Sequence, residues 1–302
     1  MENVKNIKKI DIHAHATAFQ DFYPHWPWSK RERLVSPEEL IGLYDRLGIE
    51  KGVLLPISSP EGQMSPLTTE ECKMLVDKYP DRFILFCNVD PRAVTNTLDS
   101  RLDDLLVFYK ELGAKGLGEL TANIYADDPR IDRLFACCAE IDLPVTIHIN
   151  SQFTSYGIVD ELGLPRLEKM LKKHPNLKIL GHSQCFWSEI SADNNEETRC
   201  TYPTGKVKEG RIAELMREYG GLYCDLSAGS GANAMMRDPE YAARFIDEFA
   251  DSILYGCDIC TQSATFPLEF KDFLEKMLND GTISAENYRK IVRDNAAKLL
   301  KL

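Results

Sequence analysis

The 302-residue chain has no apolar stretch near the ~20 residues needed to span a bilayer, so no membrane partner is expected. Its opening residues, Met1-Glu2-Asn3-Val4-Lys5, lack the apolar core of a signal peptide, and the expected location is the cytoplasm. Basic residues do not cluster beyond Ser29-Lys30-Arg31-Glu32-Arg33. With 36 Lys+Arg against 47 Asp+Glu, the net charge of −11 suits neither a phosphate backbone nor any other nucleic-acid partner. Only Cys257-Asp258-Ile259-Cys260 has C-x-x-C spacing, and a structural zinc site wants a second such pair. The nine cysteines are odd in number and fall mostly inside apolar elements: Cys87, Cys224 and Cys257 in strands, Cys137 and Cys138 in a helix. We read all nine as buried free thiols in a reducing compartment. The first strand is followed by Ala16-Thr17-Ala18-Phe19 and not by the Gly-rich turn of a doubly wound dinucleotide fold. Low-complexity segments, short repeats and interdomain linkers are also missing.

What is present is an alternation. Eight short β-rich runs occur at 8–16, 51–57, 82–90, 114–120, 144–150, 178–183, 222–229 and 252–259. Amphipathic helical patterns separate them, the first opened by Ser36-Pro37-Glu38-Glu39, a capping box with proline at the first helical position. Strands alternating with helices imply βαβ units and a parallel sheet, and eight repeats suit closure. The expected fold class is therefore α/β, a (β/α)8 TIM barrel forming a single domain over residues 1–302. Long connections follow the first strand (17–35) and the sixth (184–208), and loops of that length usually carry function.

Side chains alternate faces along a strand. In the first strand that puts Asp11, His13 and His15 on one face and Ile10, Ile12 and Ala14 on the other. In the fifth, Thr146, His148 and Asn150 share a face opposite Val145, Ile147 and Ile149. His182 ends the sixth strand and Asp258 the eighth. Barrel active sites lie at the C-terminal ends of the strands. Of six histidines, His13, His15, His148 and His182 fall there with one aspartate, and imidazoles and a carboxylate converging at a barrel mouth point to a divalent metal. Asp11 lies deeper and is read as orienting a ligand histidine. Asp225 is read as a structural hydrogen-bonding group, and His174 as closing a surface helix.

The pattern of H-x-H on the first strand, histidines on the fifth and sixth and aspartate on the eighth resembles the amidohydrolase superfamily. Gly181-His182-Ser183-Gln184 and the closing Asn295-Ala296-Ala297-Lys298-Leu299-Leu300 are similar to its amidohydrolase-related branch, which includes aminocarboxymuconate semialdehyde decarboxylase. The resemblance covers nearly the whole chain. It implies that His13, His15 and His148 bind a divalent metal, commonly zinc, and that Asp258 binds the metal or its water and moves the proton. It further implies that His182 contacts the reacting group or a second metal. Such an ion lowers the pKa of a bound water from 15.7 to about 7 and polarises a carbonyl. Some branches bridge two ions with a glutamate ending the fourth strand, and Gly118-Glu119 looks similar. Glu119 is thus either a bridge between two ions, with His148 and His182 on the second, or a solvated or substrate-binding carboxylate. The resemblance also leaves room for a homodimer.

The two long loops are aromatic. Phe19, Phe22, Tyr23, Trp26 and Trp28 follow the first strand, with the loop histidine His25, and Phe186 and Trp187 follow the sixth. Trp26, Trp28, Phe186 and Trp187 are expected to contact a small organic substrate. Ser227, opening the small-residue stretch Ser227–Asn233 read as a loop, and Arg199, with Arg211 as its rival for a substrate carboxylate, complete the expected contacts. The expected activity is metal-dependent hydrolysis of a C–N or C–O bond in a small carboxylated or cyclic compound, with one or two zinc ions. The rivals are a metal-dependent decarboxylase of an aromatic or unsaturated acid and a barrel that binds metal or ligand without turnover.

Overall fold

Ser36 starts the first helix as its sequence demands: its hydroxyl accepts from the Glu39 N–H at 3.1 Å and the Glu39 carboxylate accepts from the Ser36 N–H at 2.7 Å. Helix α1 (Pro37–Leu47) then ends at Gly48, whose φ of 72° is the left-handed conformation that glycine adopts without strain, and the chain turns directly into a strand. Helices alternating with strands recur around the molecule. The computed structural model of the chain describes residues 7–21, 34–62, 66–153 and 155–302. In order, its strands are β1 (Lys9–Ala14), β2 (Ile49–Leu54), β3 (Phe83–Leu85), β4 (Leu117–Leu120), β5 (Val145–Asn150), β6 (Ile158–Val159), β7 (Ile179–His182), β8 (Leu222–Asp225) and β9 (Ile253–Leu254). The helices that position the site are α5 (Pro165–Lys173), α6 (Gln184–Ser188), α7 (Arg211–Glu218), α8 (Ala228–Met236) and α9 (Pro239–Phe249), after α2 (Thr69–Lys78), α3 (Leu102–Glu111) and α4 (Pro129–Glu140). Among the described residues, no helix is long and apolar enough to cross a membrane.

The strands pair in parallel in the orders β1-β2-β3 and β4-β5-β7-β8-β9. Backbone hydrogen bonds span both seams. Cys87 N–H donates to the Gly116 carbonyl and Gly118 N–H to the Cys87 carbonyl, each at 2.9 Å, joining β3 to β4. Ile12 N–H donates to the Tyr255 carbonyl at 3.0 Å and Asp258 N–H to the His13 carbonyl at 2.7 Å, joining the segment after β9 to β1. The result is a (β/α)8 barrel. Strand β6 lies outside the ring, pairing with β5 and bridging from Val159 to Tyr125, so the sixth barrel strand is β7. One apolar cluster, with Ile10, Ile12, Val53, Leu55, Ile84, Phe86, Leu180 and Leu254, fills the barrel axis. A larger one lies between strands and helices.

Three expectations need correction. Faces do not alternate simply along β1: Asp11 pairs with Gly52 but Ala14 with Leu54, three residues against two, which is a bulge. Ile10 and Ile12 therefore face the axis below the bulge and His13 and His15 above it, while Asp11 points outward to the Tyr44 hydroxyl. The stretch after Ser227 is helix α8 and not a loop. The nine cysteines are not all free: the loop after β7 folds back so that Cys185 and Cys200 form a disulfide, their Cα atoms 4.1 Å apart. The other seven are free, and Cys137 and Cys260 are only partly buried.

Candidate metal centre

The bulge in β1 delivers His13 and His15 to the same point. Their Nε2 atoms lie 3.2 Å apart. Each ring is fixed from behind by its other nitrogen: His13 Nδ1 is 2.6 Å from Asp225 Oδ2, and His15 Nδ1 is 2.8 Å from the Leu55 carbonyl. His182, ending β7, has Nδ1 at 2.9 Å from Ser227 Oγ, leaving its Nε2 toward the same space. Anchoring one nitrogen sets the ring's tautomer and leaves the other as a donor lone pair. Asp11, expected to orient a histidine, accepts instead from the backbone N–H groups of His13 and Cys257, at 3.0 and 2.8 Å, and so holds the bulge. Asp225, expected to be structural, is the group on the His13 ring.

Strand β4 places Glu119 by a second bulge: Leu117 pairs with Val145 and Leu120 with Ile147, again three residues against two. Gly118, at φ 141°, permits it, because a Cβ there would lie 2.8 Å from the Thr146 Cβ and carbonyl oxygen. The Glu119 carboxylate turns one oxygen to each side. Oε2 lies 3.8 Å from His13 Nε2 and 3.6 Å from His15 Nε2. Oε1 lies 2.6 Å from His148 Nδ1 and 3.7 Å from His182 Nε2. Asp258 closes the ring of donors, with Oδ1 3.7 and 3.5 Å from His13 and His15 and Oδ2 3.8 Å from His182. It holds a left-handed φ of 48°, fixed by the backbone bond to His13. Its Oδ1 accepts from the Cys260 thiol at 3.2 Å.

Packing so many titratable groups into a largely buried space sets their protonation. Burial opposes charge on His13, but Asp225 and Asp258 outweigh it and hold the imidazole well above its usual value. Burial likewise works against ionised Asp225 and Glu119. His13 pulls Asp225 down, and His148 with His13 pulls Glu119 well below the ordinary carboxylate range. Burial and the neighbouring His13 charge lower His15, and bring His182 to about 4. Asp11 is pushed up to about 7 by burial, against the bonds it accepts.

The donor set fits a divalent ion. Ligand bonds of 2.0–2.1 Å in a tetrahedron put donors about 3.3 Å apart. Among the described residues three groups of three approach that spacing: His13, His15 and Asp258; Glu119, His148 and His182; and His13, His182 and Asp225, the last using the Nδ1 atoms that Asp225 and Ser227 already engage.

The remaining candidate residues lie elsewhere. Trp26 and Trp28, with Phe22, Tyr23 and His25, fall outside the described residues. Phe186 is fully buried beneath Gly181 and Trp187 packs on Phe186 and Phe245, its indole N–H donating to the Asp225 carbonyl, so neither ring offers surface to the mouth. Ser227 is occupied with His182. Arg199 is buried, its guanidinium donating to the Asp160 carbonyl and lying 3.5 Å from Glu196, and Arg211 pairs with Glu168 and Glu214. Two groups escaped the sequence reading: Cys260, whose C-x-x-C spacing drew attention only as a zinc motif, and Tyr156, whose ring lies 4.7 Å from that of His148. The aromatic pair Phe153 and Tyr156, directly after the His148 strand, was the available signal.

Solved structures share this architecture. A zinc-bound amidohydrolase from Burkholderia multivorans matches with a TM-score of 0.64 at 15% identity, over 98% of this chain and 100% of that one. The 5-carboxyvanillate decarboxylase of Novosphingobium aromaticivorans, with bound manganese, matches at 0.62 and 18%, over 99% and 98%. A probable 2-pyrone-4,6-dicarboxylic acid hydrolase from Acinetobacter baumannii matches at 0.60 and 16%, over 98% and 100%. At these identities the likeness carries the barrel fold. No curated protein matches the chain. The family is set by sequence: the model of the Amidohydrolase family (Amidohydro_2) matches residues 10–302. The chain belongs to the amidohydrolase family.

Proposed function

We propose that the chain is a metal-dependent hydrolase of a C–N or C–O bond in a small carboxylated or cyclic molecule, working with two divalent ions. The observation that carries this reading is the Glu119 carboxylate, which turns one oxygen to His13 and His15 and the other to His148 and His182. On this reading His13, His15, Asp258 and Glu119 Oε2 would hold one ion, and Glu119 Oε1, His148 and His182 the other. A set of four imidazoles and two carboxylates suits zinc. When bound, the ions supply Lewis acidity, which brings the pKa of water from 15.7 toward about 7.

The chain's own groups do the rest. Asp258 is 20% exposed, against 12% for His148 and 6% or less for Glu119, His13, His15 and His182, so it is the donor most open to substrate and solvent at the mouth. Its carboxylate accepts the proton of the attacking water and returns it to the leaving nitrogen or oxygen. The Cys260 thiol holds that carboxylate in place. Asp225 and the Leu55 carbonyl keep the His13 and His15 rings oriented. Tyr156 forms a wall beside His148 against which a flat substrate packs.

The fold likeness to decarboxylases supports a second reading, in which the same groups bind a carboxylic acid that loses CO2. Isotope incorporation separates the two. A panel of small carboxylated lactones, cyclic amides and aromatic acids is turned over in 18O-water. Label in the organic product supports hydrolysis, and unlabelled product with CO2 release supports the decarboxylase. No turnover by the fully metallated protein would favour a barrel that only binds.

A further inference from the structure

A cavity of about 400 Å3 lies between the loop after β7 and the end of α8. Ser188, Ser191, Asp193, Asn194, Tyr202 and Thr204 from the loop line it, with Arg237 from the end of α8. Most of these groups are already engaged. Ser188 Oγ donates to the Cys185 carbonyl and accepts from Asn194, and Ser191 Oγ donates to Asp193 Oδ1. Asp238, beside Arg237 in the chain, is taken up by Lys206 and the N–H groups of Val207 and Tyr241.

Arg237 stands apart. Among the described residues no carboxylate comes within ion-pair distance of it, and its Nε is buried with no hydrogen-bond partner. Asp193 and Asp238 act on it only at longer range, and burial pulls the guanidinium below its ordinary value. A half-buried guanidinium in a cavity whose one lining carboxylate, Asp193, lies beyond ion-pair distance is an incomplete pair, since such donors are normally matched bidentately by a carboxylate or phosphate. Tyr202 OH accepts from Gln184, which leaves its proton free to donate.

We infer that this cavity binds a small hydroxylated monocarboxylate, its carboxylate on Arg237 and its hydroxyls toward Asp193, Tyr202 and Thr204. The nearby Asp193 charge, on a chain of net charge −11, selects against dianions such as phosphate esters. The volume suits an acid of about six carbons. The site is independent of the metal reading, because none of its lining groups belongs to the metal centre.

The probe is D-gluconate, titrated calorimetrically into the full-length metal-loaded protein, with D-glucose and inorganic phosphate as comparisons. The site predicts saturable gluconate binding with a Kd of about 1 mM or tighter, and weaker binding of the other two. Arg237→Gln, with its fold checked by circular dichroism, weakens gluconate by about 10- to 100-fold, the usual worth of a charge-assisted pair. Asp193→Asn, at an exposed position, narrows the preference for gluconate over phosphate and reports even where the Arg237 variant fails to fold. His148→Ala leaves gluconate binding unchanged. Absence of gluconate binding to the wild type, equal binding of glucose, an unaltered preference in Asp193→Asn, or loss of binding in His148→Ala each overturns the proposal, the last by placing gluconate on the metal.

Discussion

Asp258 and His148 both face the same few cubic ångströms, yet they differ in what surrounds them. His148 is held within 2.6 Å of Glu119 and packs on the Tyr156 ring, whereas Asp258 combines contacts to three imidazoles with a more exposed edge. Losing the two side chains should therefore have different consequences. His148→Ala lowers bound metal, whereas Asp258→Asn keeps most of the metal and lowers kcat by about 10²–10⁴-fold, the usual range for a lost acid–base group. Elemental analysis beside steady-state rates reads this directly, and equal metal loss in both variants contradicts the division of roles. That histidines and an aspartate end barrel strands was legible in the sequence, because strand ends and residue types are local properties. What orients each ring was not: Asp225 and the Leu55 carbonyl reach His13 and His15 across 212 and 40 residues.

Two strands owe their function to one extra residue. Without the bulges, alternation from Asp11 would put His13 and His15 on the helix-facing side, and alternation from Leu117 would do the same to Glu119. A period of two residues cannot announce its own interruption, which is why simple alternation fails along β1 and holds along β5, which has no bulge. Gly118→Ala tests the β4 bulge. Its Cβ would meet Thr146 at a backbone angle that disfavours side chains, so we expect a loss of about 1–3 kcal/mol by denaturant unfolding together with reduced metal content. Unchanged stability and metal would mean that Glu119 does not depend on that turn. Helix α5 carries a separate signature. Asp160 accepts from the N–H groups of Glu161, Arg166 and Leu167, yet burial pushes its carboxyl up to about 6. The unfolded value is about 3.9, so between about pH 4 and about pH 6 the folded state binds more protons and stability falls as pH rises. Subtracting the unfolding free energy of Asp160→Asn across that window should isolate the slope, and parallel curves would contradict it.

The barrel as a whole supplies what no single strand can, a ring of donors drawn from β1, β4, β5, β7 and the end of the β9 segment. Eight strands alternating with helices made that closure readable in advance. The short β6, helices α6 and α8 and the Cys185–Cys200 disulfide were not, because small residues and loop cysteines carry no period. A site assembled from residues 13 to 258 also couples metal to folding. Removing metal with a chelator should lower Tm by several degrees, since an ion held at 100 times its Kd stabilises by about 2.7 kcal/mol. An unchanged Tm would separate metal from fold. The central claim is that one carboxylate joins two ions, and counting ions per chain by elemental analysis of the wild type and of Glu119→Gln tests it most directly. Two ions falling to one is the predicted result, and the same count in both proteins would contradict it.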